Sequence, residues 1–68
     1  MADVTAAFVT AALVATAGAE IAKAKSIRER LETHGPRMGR DAIEILNTIA
    51  FAHEGAARQL IEDAQDQG

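Results

Sequence analysis

The chain has 68 residues, no cysteine, tryptophan or tyrosine, two phenylalanines and one proline, and ten acidic against seven basic side chains for a net charge of −3. This composition excludes a disulfide framework, a thiol-based zinc site and thiol chemistry, and there is no overall basic footprint for nucleic acid. A chain this short is one domain at most, and it buries only about 60% of the surface its unfolded form exposes.

The first predicted element is a helix over about residues 3–33. Alternating β-branched runs are lacking, and Ala, Glu, Lys, Arg, Leu and Ile dominate, most of them good helix formers. One stripe at helical spacing runs through Ala6, Val9, Leu13, Ala17, Ile21, Ala24, Ile27 and Leu31. A second stripe, Val4, Phe8, Ala11, Ala15 and Ala22, makes the N-terminal half apolar nearly all round. A helix of that kind is covered by more than one neighbour or by lipid.

Residues 4–19 carry no charge, and a basic cluster follows them. That order also suits a single-pass anchor. Sixteen residues of helix span about 24 Å, however, against a hydrocarbon core of about 30 Å. The Ala/Thr composition also favours a protein interface over lipid.

A turn is expected at 34–36. Gly35 suits a left-handed helix terminus, Pro36 cannot continue the helix, and His34 can meet its last carbonyls. The second helix is expected over about 37–65. Asp41 and Glu44 have the spacing of a capping box. Its apolar positions 43, 46, 50, 53, 57, 60 and 64 keep an unbroken 3-4 heptad spacing.

Folding the two helices antiparallel places Leu31 by Ile43, Ala24 by Ala50, Ala17 by Ala57 and Val14 by Leu60. The expected fold is therefore all-α: one helical-hairpin domain over 1–68, completed by oligomerisation into a four-helix bundle or a larger helical assembly. The residues expected at the oligomer interface are Val4, Phe8, Ala11, Leu13, Ala15, Ala17, Ile49, Ala56, Leu60 and Ile61.

Charge is segregated along the chain, +3 over residues 20–40 and −5 over 41–68. A hairpin with a basic turn end and an acidic open end would pair head to tail about a two-fold axis.

Three groups of side chains could carry chemistry. His53 takes a heptad core position at the level of Glu20, the one charge intruding on the apolar section of helix 1. The pair reads as a polar contact fixing helix register; a pH-sensitive interface or half a metal site are the functional alternatives. No second metal ligand accompanies it, and the Glu-x-x-His spacing of di-iron bundles is absent. The basic turn, Arg28, Arg30, Arg37 and Arg40, could touch phosphate, but its interleaved glutamates favour a solvated face with i,i+4 pairs such as Arg28–Glu32. Phe51 stands on the polar face of helix 2.

No nucleophile context or phosphate loop occurs. No enzyme, metal or cofactor is expected. The expected role is a small structural or interaction protein, cytoplasmic, whose partner is itself or a larger protein complex. A coat-like, pilin-like or membrane-associated subunit, including one in an extracellular or viral assembly, is the alternative. A nucleic-acid or lipid-headgroup binder is the weakest reading.

Overall fold

The computed structural model describes residues 4–67. Helix α1 covers Val4–His34, a single 3₁₀ turn covers Gly35–Arg37, and helix α2 covers Arg40–Gln67. The helices pack antiparallel along their length as an all-α hairpin measuring 57 × 15 × 11 Å. Its long axis fits helices of 31 and 28 residues at about 1.5 Å per residue, plus the turn.

The turn forms differently from the expectation. No described glycine has positive φ, so Gly35 is not a left-handed cap. The chain tightens from α-helix directly into the 3₁₀ turn, with Pro36 inside it, and the Met38 N–H bonds the Gly35 carbonyl at 3.0 Å. Met38 then turns extended, at φ −89° and ψ 148°, which breaks the helical path. The Ile43 N–H bonds the Gly39 carbonyl at 3.1 Å, so α2 starts before Asp41. Asp41 is thus in the first turn, where its charge suits the helix dipole, instead of standing outside as an N-cap.

The buried residues are Ala17 and Ala24 on α1, and Ala50, Ala57 and Ala64 on α2. They recur every seven residues on both helices, the repeat that keeps one seam facing a partner helix. A methyl group at each of these positions lets the two backbones approach closely. Between the alanine layers stand half-buried residues: Leu13, Glu20, Ile27 and Leu31 from α1, with Ile43, Leu46, His53 and Leu60 from α2.

The inward stripe of α1 therefore differs from the expected one. Thr10 and Glu20 hold seam positions, while Val9 and Ile21 are 40% and 49% exposed. Val14, expected opposite Leu60, is 54% exposed, and Leu13 takes the seam position. A strict 3-4 spacing through Ala17 and Ala24 dictates this choice, and it overrides the hydrophobicity of the neighbouring residue.

Candidate functional site

At mid-height of the hairpin the seam is polar. His53 Nδ1 lies 2.5 Å from Glu20 Oε2 and donates to that carboxylate. Lys23, one turn further along α1, donates to Glu20 Oε1 at 3.4 Å. The side chains of Glu20 and His53 retain 18% and 28% of their exposure, so the pair is at the border of the seam. The hydrogen bond from His53, helped by Lys23, holds the Glu20 carboxyl below the ordinary carboxylate range, and partial burial opposes this. The contact ties the centre of α1 to the centre of α2 and fixes which alanine layers meet.

A second polar contact crosses the seam nearer the turn. Arg28 grips Glu54 with two parallel hydrogen bonds, Nε to Oε2 and Nη2 to Oε1, both 2.7 Å. Its Nη1 also reaches Asn47 Oδ1 at 3.4 Å. This fork-on-carboxylate geometry is the strong form of the ion pair. It lowers the pKa of Glu54 and raises that of Arg28, in each case mainly through the hydrogen bonds between them.

The sequence places Arg28 on a solvated face, paired with Glu32 within its own helix; the structure commits it across the seam instead. The available signal was the seven-residue register. Arg28 directly follows the seam residue Ile27, and Asn47 and Glu54 directly follow Leu46 and His53, so these residues share one side of the hairpin.

Folding also changes the charge reading. Residues 28–46 surround the turn and include Arg28, Arg30, Arg37 and Arg40, but also Glu29, Glu32, Asp41 and Glu44. The four positive and four negative charges cancel. The basic turn end expected from the linear sequence is therefore neutral, because the hairpin returns the first acidic residues of α2 to the level of the arginines. At the open end Glu62, Asp63 and Asp66 leave a net acidic tip, with Gln59 donating to Asp63 at 3.0 Å.

The apolar surface is extensive. Among the described residues, nine large hydrophobic side chains are exposed, led by Phe8 at 76%, Val4 at 73% and Phe51 at 68%. Of the residues expected at an oligomer interface, Val4, Phe8, Ala11, Ala15, Ile49, Ala56 and Ile61 are exposed. Ala17 is not available to a second chain, since α2 already covers it, and Leu13 and Leu60 are half-buried in the same seam. The expectation missed this because Ala17 was placed both in the hairpin and in the oligomer contact, and one methyl group cannot serve both.

Helix α1 also contains an 18-residue stretch long and apolar enough to cross a membrane, of which 6% is buried. No group of three or more metal-ligating side chains occurs among the described residues. The chain matches no protein-family model, no curated protein and no solved structure.

Proposed function

We propose that the chain acts by self-assembly: it is a non-enzymatic helical module that completes its core by packing against further copies of itself. One observation carries this reading. Among the described residues only alanines are buried inside the hairpin, while nine large apolar side chains remain on its surface. The exposed area is 5105 Å², against about 4,100 Å² for a compact monomer of 7.2 kDa. The excess, about 1,000 Å², is of the order that one partner contributes to a stable protein interface, about 800 Å². Five buried methyl groups cannot offset the chain entropy of more than sixty residues, which runs to roughly 1–2 kcal/mol per residue.

The test is the mass in solution, by light scattering on a sizing column without detergent. A discrete dimer or tetramer is the expected result. A folded, helical monomer at micromolar concentration would overturn the proposal.

A second reading, a membrane-associated or coat-like subunit, draws on the uncovered 18-residue stretch of α1. It expects protein that is soluble only in detergent, or very large particles, in the same experiment. The headgroup or nucleic-acid reading loses support with the arginines balanced by carboxylates and Arg28 committed to Glu54.

A further inference from the structure

Glycine is the poorest helix former after proline, because it gives up the most backbone freedom on entering a helix. A fold calls for it where a side chain would not fit or where the backbone turns left-handed. Helix α1 has one interior glycine, Gly18, and α2 has one, Gly55. A Cβ at either would meet nothing within 4 Å, and neither has positive φ. Neither space nor conformation within one chain calls for them.

The two glycines stand at one height. Glu20 bonds His53 across the seam. Two residues back along α1 and two residues on along α2 lead, in antiparallel helices, to Gly18 and Gly55, about 3 Å nearer the open end. They do not share a face. Gly18 directly follows the seam residue Ala17, on the flank of α1. Gly55 is midway between the seam residues His53 and Ala57, which on a helix is the face away from the seam. One flat partner cannot lie against both, so close packing of a second copy accounts for one glycine at most. Height is what they have in common.

That height is also a boundary in the seam. The clasps Glu20–His53 and Arg28–Glu54 both lie on its turn side. Beyond it the seam brings Thr10, Leu13 and Ala17 of α1 to Ala57, Leu60 and Ala64 of α2.

We propose that Gly18 and Gly55 form a joint, about which the open half of the hairpin, residues 4–17 with 56–67, opens and closes as a unit while the turn-proximal half stays packed. Weak helical links at different heights would each be splinted by the intact neighbouring helix. At one height they yield together, and the small side chains beyond them offer little packing to hold the unit closed. Opening uncovers Leu13, Ala17, Ala57 and Leu60. The motion is within one chain and does not rest on self-assembly.

The test is native-state hydrogen exchange of the whole chain, read by mass spectrometry on peptides from each half and corrected for intrinsic rates. Amides of the open half should exchange about tenfold faster than those of residues 21–34 and 41–53. Gly18→Ala combined with Gly55→Ala should narrow that ratio about fivefold. Ser26→Ala combined with Thr48→Ala raises helix propensity at two exposed positions of the other half and should not narrow it.

A single exchange rate for both halves would overturn the joint. So would a ratio unchanged in G18A/G55A, which is the ordinary fraying of chain ends, or one narrowed equally by S26A/T48A. The mass in solution decides self-assembly separately. An oligomer with uniform exchange keeps that reading and overturns this one, and a monomer whose two exchange classes merge in G18A/G55A alone does the reverse.

Discussion

The two halves of the hairpin are held by different physics. In the turn-proximal half, Ile27, Leu31, Ile43 and Leu46 bring branched side chains to the seam. Arg28 clasps Glu54 and Asn47 beside them, and opposite charges balance around the turn. In the open half, Leu13 and Leu60 are the branched seam residues beside the methyl groups of Ala17, Ala57 and Ala64, and residues 4–19 carry no charge at all. Three large apolar groups of that half, Val4, Phe8 and Val14, are more than half exposed. The turn-proximal half brings larger side chains and an ion pair to its seam, while Ile45 and Ile49 stay exposed. The open half brings its two helices together on small side chains and leaves Val4, Phe8 and Val14 outside, the surface the self-assembly proposal would cover.

The sharpest way to break this comparison is to enlarge an alanine layer. Ala50 is fully buried at the boundary of the two halves, at the level of Ala24. Ala50→Leu adds a branched side chain at a fully buried position of the seam. Overpacking a filled core costs about 1–3 kcal/mol and occasionally more. A hairpin this small has little reserve, so the variant should lose most of its cooperative thermal transition by circular dichroism. Ala52→Leu, on an exposed position of the same helix, should leave the transition in place. If both variants melt alike, the helices are not in close contact at Ala50.

A gentler variant pair sharpens the same contrast. A Cβ at Gly18 or at Gly55 would meet nothing within 4 Å in the single chain. Each Gly→Ala change inside a helix should therefore add about 0.5–1 kcal/mol. Gly55 is one position before the exposed Ala56 on the outer side of α2, and Gly18 is in the open half, where Val4, Phe8 and Val14 are exposed and self-assembly would bring a second copy. Gly55→Ala should raise the melting temperature by the full helix-propensity gain. Gly18→Ala should gain less, because a close partner leaves less room for the methyl. Equal gains for the two would mean that the Gly18 side is open.

Much of the fold was legible from spacing alone. The unbroken 3-4 pattern of α2 from Ile43 to Ala64 needs no tertiary information, and Gly35-Pro36 locates the turn. The Glu20–His53 contact followed from an antiparallel register, since each was the one polar residue at its level of an apolar stripe. What escaped had two causes. On α1, Val9 and Ile21 outrank Thr10 and Glu20 in hydrophobicity, yet the heptad phase set by the buried alanines puts the polar residues inside. Around the turn, the linear charge blocks misled, because folding returns Asp41 and Glu44 to the arginines. Arg28–Glu54 spans 26 residues and could be reached only by carrying the register of both helices through the turn. Under the self-assembly proposal the side chains that cover the open half belong to another copy, whose placement spacing within one chain does not give.

The smallest expected effect is in acid, and it separates the halves once more. Both carboxylates stand at mid-height, Glu54 clasped by Arg28 of the turn-proximal half and Glu20 bonded to its neighbour His53. Both carboxyls are held below their ordinary value of 4.5, Glu54 mainly by hydrogen bonds from Arg28 and Glu20 mainly by the one from His53. A carboxyl whose pKa is depressed on folding binds fewer protons in the folded chain than in the unfolded one. Its stabilisation is therefore complete above the unfolded value and is lost as pH falls through the folded value. The melting temperature should hold level above about pH 5 as far as these two groups are concerned, and decline below pH 4.5. Glu54→Gln and Glu20→Gln should each flatten that decline relative to the natural chain, because each removes one proton uptake from the acid limb. Both groups border solvent, so either shift should be smaller than that of Ala50→Leu and should shrink in high salt. Flattening by Glu54→Gln alone would leave the turn-proximal clasp intact and remove the mid-height pair as a contributor to stability. Acid limbs that superimpose for all three proteins would mean that neither contact holds the hairpin in solution.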